Sequence, residues 1–123
     1  MAVTPQTQFE VVQLSGGSNG RNIKVAATTG TGTTIHTATS TSGELERITL
    51  YAVNSDSADR KLTIKLGGTT DPDDFVEVTI STEAGFTKIL ENVVLNGGVV
   101  VRAFCGAAAN VILINGHVVR MKA

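Results

Sequence analysis

Tryptophan is absent from this 123-residue chain, tyrosine and cysteine each occur once, and proline occurs twice. A lone cysteine rules out an intramolecular disulfide. Cys105 lies in VVVRAFCG, in step with Val99, Val101 and Ala103, which suits a small buried hydrophobe better than a nucleophile. Four phenylalanines and one tyrosine make no aromatic platform for single-stranded nucleic acid. The net charge of −1 leaves no electrostatic footprint for nucleic acid or an anionic membrane. Charged residues amount to 17% against a usual ~25%, so fewer positions are suited to water than a monomer of this size normally shows. No apolar run approaches the ~20 residues of a membrane-spanning helix. The opening MAVTPQTQFE has neither a basic region nor an apolar core, so no secretory signal is expected. Synthesis in a reducing cytoplasm is the corresponding expectation.

What the chain does have is alternation. In residues 44–54, Ile48, Leu50 and Ala52 share one side. In residues 60–66, Leu62, Ile64 and Leu66 do the same, with Lys61, Thr63 and Lys65 opposite. Strand side chains alternate faces with period two, so the two runs predict an antiparallel hairpin with one buried face. The connector between them, SDSAD, suits a turn because short polar side chains bond nearby backbone.

Further strand signals surround this pair. Residues 75–81 alternate through Val76, Val78 and Ile80. Residues 86–95 are an irregular strand, and Asn96-Gly97-Gly98 is a reversal signal of the primed-turn kind. Residues 99–105 and 110–121 follow, and residues 9–14 and 22–28 are weaker. Residues 28–42 are nearly all Thr, Ser, Gly and Ala around Ile35 and His36. A strand over 32–39, favoured by β-branched threonine, competes there with a low-complexity linker. No amphipathic helix is evident. Six strong and two weaker strands predict an all-β fold: an antiparallel, jelly-roll-like β-sandwich with an extended N-terminal arm. Residues 1–20 are expected to form the arm and a turn region, and residues 21–123 the sandwich domain.

Two segments, Val99-Val100-Val101 and Val111-Ile112-Leu113-Ile114, are apolar on both faces, although the outer face of an antiparallel sandwich normally meets water. Cover by the arm or a loop explains this, and so does a subunit interface. Val100, Ile112 and Ile114 are therefore candidate oligomer or assembly contacts. Pro5 is a fourth, in an arm that could dock as an added strand.

Catalytic and metal chemistry finds little support. Asp71, Asp73 and Asp74 lack the spacing and the distal glutamate of a calcium loop, so a solvated turn is the better reading. His36 and His117 have no carboxylate at a telling spacing and read as structural or surface histidines. Gly16-Gly17-Ser18-Asn19-Gly20-Arg21 matches no phosphate loop. Arg102 and Arg120 read as rim positions. No enzymatic activity, cofactor or metal is expected.

Four stretches come in a familiar order: GRNIKVAATTGTGTTIHTA (20–38), LYAVNSDSADRKLTIKLGG (50–68), VVLNGGVVVRAF (93–104) and ANVILINGHVVRM (109–121). Together they resemble small β-sandwich virion proteins of tailed bacteriophages, over roughly residue 20 to the C-terminus. The resemblance implies a structural virion protein made in the host cytoplasm, above all a capsid decoration (cement) protein on the outside of the head. It implies a symmetric homo-oligomer, with a trimer favoured, and the major capsid protein or another virion protein as partner. Neither nucleic acid nor membrane is implied as a partner, and no catalytic residue is carried over. A tail, baseplate or fibre module binding a receptor or carbohydrate is the alternative.

Overall fold

The computed structural model describes residues 8–68, 70 and 72–122. Nine strands run through them: β1 Gln8–Gln13, β2 Ile23–Lys24, β3 Thr33–Thr37, β4 Leu45–Asn54, β5 Arg60–Leu66, β6 Phe75–Ile80, β7 Thr87–Leu95, β8 Val100–Phe104 and β9 Ile112–Lys122. They form two antiparallel sheets. The five-stranded sheet has the order β1-β9-β4-β7, with β2 also on β9, and the four-stranded sheet has the order β3-β8-β5-β6. The chain is thus an all-β sandwich, as its alternation predicts. The threonine-rich stretch contributes a strand, β3. Because β1 lies within the five-stranded sheet, the sandwich takes in residues well ahead of position 21.

The inner faces are those that the period-two pattern selects. Ile48, Leu50 and Ala52 from β4 meet Leu62 and Ile64 from β5 in a core completed by Ile80, Val101, Ala103, Ile112, Ile114 and Val118, all fully buried. Cys105 is buried there too. At roughly 25 cal/mol per Å² of apolar surface removed from water, this core is the main stabilising term.

One expectation is corrected. β4 and β5 do not form a hairpin. β4 pairs with β7 and β9, whereas β5 pairs with β6 and β8 in the opposite sheet. Residues 55–59 therefore arch across the sandwich. One-sided burial specifies which face looks inward. It does not distinguish a neighbour ~4.8 Å away in the same sheet from one ~10 Å away across the core. The arch is fixed by polar contacts that no periodicity reveals. Asn54, 2% exposed, donates from Nδ2 to the carbonyls of Ala58 (2.8 Å) and Ile80 (2.9 Å). Its Oδ1 accepts from the Asp56 amide at 2.8 Å. Ser55 donates from both its amide and its hydroxyl to the Val111 carbonyl. The turn at 96–98 also joins the two sheets, since β7 and β8 lie in different ones.

Replacing Asn54 by alanine strands the Ile80 carbonyl and the Asp56 amide. The expected loss is ~1–3 kcal/mol by urea unfolding. A loss near zero would mean that the arch is held by its backbone alone.

Candidate functional site

The outer faces of the two sheets differ. On the four-stranded sheet, the Lys65 ammonium lies 5.3 Å from the Phe75 ring centre and 5.2 Å from that of Phe104. It also donates to the Gly30 carbonyl. Thr63 and Lys65 are buried although they alternate outward, Lys65 beneath the Gly30 carbonyl and beside the two rings.

Among the described residues, the outer face of the five-stranded sheet is bare by comparison. Strand register builds it row by row. Phe9 faces Met121, which faces Leu45. Val11 faces Val119, which faces Arg47, which faces Val94. These two adjacent rows set apolar side chains across all four strands. Among them, Phe9 is 60% exposed, Val11 77%, Leu45 38% and Val94 56%. The other large exposed hydrophobe, Phe86, packs edge-on against Tyr51 with ring centres 6.1 Å apart. Tyr51 pairs in register with Asn115 and therefore lies on the same face. Together with His117 these residues line an open groove of about 310 Å³. Apolar residues exposed singly are ordinary, whereas these lie side by side in adjacent rows.

Arg47 stands within the apolar rows. It is half-buried, and its Nε is shielded from solvent with no hydrogen-bond partner among the described residues. Arg120 contrasts with it. Its guanidinium holds Glu46 Oε2 through Nε at 2.8 Å and Nη2 at 2.7 Å, and Nη1 reaches Glu10 at 3.3 Å.

Glu46 is itself fully buried and bridges the sandwich. His36, on β3 of the opposite sheet, lies 2.7 Å from Glu46 Oε1 through Nε2. The Ser15 amide donates to His36 Nδ1 at 3.0 Å, so the ring proton is on Nε2 and points at the carboxylate. Burial pushes the Glu46 carboxyl up, but the bonds from His36 and Arg120 outweigh it and hold the group below its ordinary 4.5. The same Glu46 bond raises the Arg120 guanidinium. His36 is 1% exposed, which leaves no approach for a substrate. The cluster is a polar clamp between sheets.

The contacts expected from sequence fall elsewhere. Ile112 and Ile114 point inward and are fully buried, so as assembly contacts they are corrected: the sandwich core accounts for their burial. Their neighbours Val111 and Leu113 are half-buried within the chain as well, since β9 is flanked by β4 on one side and by β1 and β2 on the other. Val100 is half-buried on β8. Pro5 lies outside the described residues, as does Asp71. Among the described residues, no group of three or more His, Cys, Asp or Glu side chains could hold a metal.

Sequence reading missed Glu46 and the outer rows. Glu46 left one signal: it shares the parity of Ile48 and Leu50, which places a carboxylate on the buried face. The outer rows left none, because they exist only once β1, β9, β4 and β7 are in register. No protein family, curated protein or solved structure matches this chain.

Proposed function

We propose that this chain is a structural virion protein of a tailed bacteriophage: a non-enzymatic capsid decoration protein that binds the outside of the head and stabilises it. The observation that carries the proposal is the apolar outer face of the five-stranded sheet, bare among the described residues, joined to the resemblance of the four sequence stretches. The face is carried on a rigid two-sheet core, as a docking module requires. With strands ~4.8 Å apart and ~3.4 Å per residue, four strands and the ten residues of β4 span roughly 20 by 34 Å, or roughly 680 Å². A standard stable interface buries about 800 Å² per partner, so a single such contact is modest. Repetition on a symmetric shell, with the chain itself a homo-oligomer and a trimer in keeping with the resemblance, multiplies it by avidity. In this reading the partner is the major capsid protein, and the chain is made in the host cytoplasm and ends in the virion.

One observation favours the second reading, a tail, baseplate or fibre module binding a carbohydrate or receptor. Phe86, 58% exposed, rests on Tyr51 beside His117 and Asn115, an aromatic and polar groove of the kind a sugar ring can enter.

Mass spectrometry of purified particles, with immunogold labelling of the chain, separates the two readings. Label over heads is the expected result, label confined to tails favours the second reading, and absence from particles overturns both. Sedimentation at micromolar concentration is expected to give a discrete oligomer, and a monomer alone would remove the trimer.

A further inference from the structure

Resting on that reading of the outer face as a docking surface, we infer the chemistry of what it binds: a partner protein surface that places a carboxylate over Arg47, flanked by apolar side chains. Two observations and one rule of chemistry converge on this. The rows Phe9–Met121–Leu45 and Val11–Val119–Arg47–Val94 form an apolar field with one cation inside it. Arg47 Nε is out of water and unpartnered among the described residues, and a buried donor without an acceptor is costly until one is supplied. A carboxylate is the group that best matches a guanidinium, because it accepts two parallel bonds in one plane.

Charge argues against a second copy as the occupant. Lys24 faces outward opposite Leu113, and Lys88 faces outward opposite Tyr51. Arg47 and Lys24 leave the face net cationic, because the charge of Lys88 is offset. The acid beside Lys88, Glu91, is already bound to it at 2.9 Å. Two such faces brought together would oppose like charges, which disfavours self-pairing. An acidic, apolar partner meets both the rows and the cation.

The probe is a blocked seven-residue peptide with a central glutamate, valine two residues to either side and threonine elsewhere. It is compared with versions carrying glutamine or lysine at the centre. Methyl NMR of the full chain is expected to show shifts confined to Val11, Leu45, Val94 and Val119. The glutamate peptide is expected to bind about tenfold more tightly than either counterpart, the size of one charge-assisted bond. In the Arg47→Gln variant that preference should vanish. The comparison of the three peptides on the unaltered chain stands even if that variant unfolds.

Equal binding of the three peptides, no shifts, or shifts elsewhere would overturn the inference. So would the same methyls shifting with protein concentration alone, which would identify a second copy. Binding that appears only after deletion of residues 1–7 would also overturn it, by making the chain's own N-terminal segment the occupant. Labelling on particles is independent of all these outcomes, so the docking chemistry can fail while the virion assignment stands, and the reverse.

Discussion

Replacing Glu46 by alanine is expected to destabilise the fold by about 3–5 kcal/mol in urea unfolding, the range for breaking a buried ion pair by removing one partner. The loss follows from what remains. Among the described residues, His36 keeps a buried Nε2 proton without an acceptor, and Arg120 keeps Glu10, at 3.3 Å. The control is Glu10→Gln, which touches the same guanidinium. Glu10 is 45% exposed on its side chain, and an exposed pair contributes about 0–1 kcal/mol. Burial, rather than the presence of an ion pair, sets the difference. A similar loss for both variants would mean that Glu46 is hydrated in solution.

The same residue sets a pH dependence whose sign is fixed by its environment. The folded-state carboxyl titrates below its ordinary 4.5, so the folded protein releases this proton more readily than the unfolded chain. The contribution is therefore fully present above about pH 4.5 and is lost as pH falls through the lowered folded value. Glu46→Gln, which cannot titrate, should differ most from the parent protein near neutrality. The gap should narrow below that point, and a gap that widens on acidification would contradict the assignment.

How far the sequence carried the fold is clearest at β4 and β5. Their alternation selected the buried residues, Ile48, Leu50, Leu62 and Ile64, and those are the ones in the core. It could not select their partners. A strand needs one covered face, and the cover can come from across the core as well as from a strand alongside. Asn54 and Ser55, which decide between the two, looked like ordinary turn residues until Ile80 and Val111 arrived as acceptors from distant positions. The apolar run Val111–Ile114 misled in a related way. Its inward residues, Ile112 and Ile114, are core, while Val111 and Leu113 stay half-buried on the outer side, a division that the run of four apolar residues conceals. The outer rows were the least legible feature. Phe9, Leu45 and Val94 are isolated apolar residues in sequence, and they became a patch only through the pairing of β9 with β1 and β4 and of β4 with β7.

That division between inner and outer faces gives the second large effect. Leu50→Ala is expected to cost about 2–5 kcal/mol, because the side chain is fully buried and its removal sacrifices transfer free energy and leaves a cavity between the sheets. Ile64→Ala, on the opposing sheet, should fall in the same range. Val94→Ala removes aliphatic groups from a side chain that is 56% exposed and should change stability by less than about 0.5 kcal/mol. On the proposed docking role, weakened attachment to particles is the expected consequence of Val94→Ala. Thermal unfolding and particle binding, measured on all three variants, separate the roles. The inner variants should melt early and, at a temperature where they remain folded, bind normally. The outer variant should melt normally and bind poorly. If Val94→Ala proves strongly destabilising, the outer face is packed within the folded chain and is not a docking surface. If Leu50→Ala is neutral, the sandwich buries the opposite set of side chains from the one described.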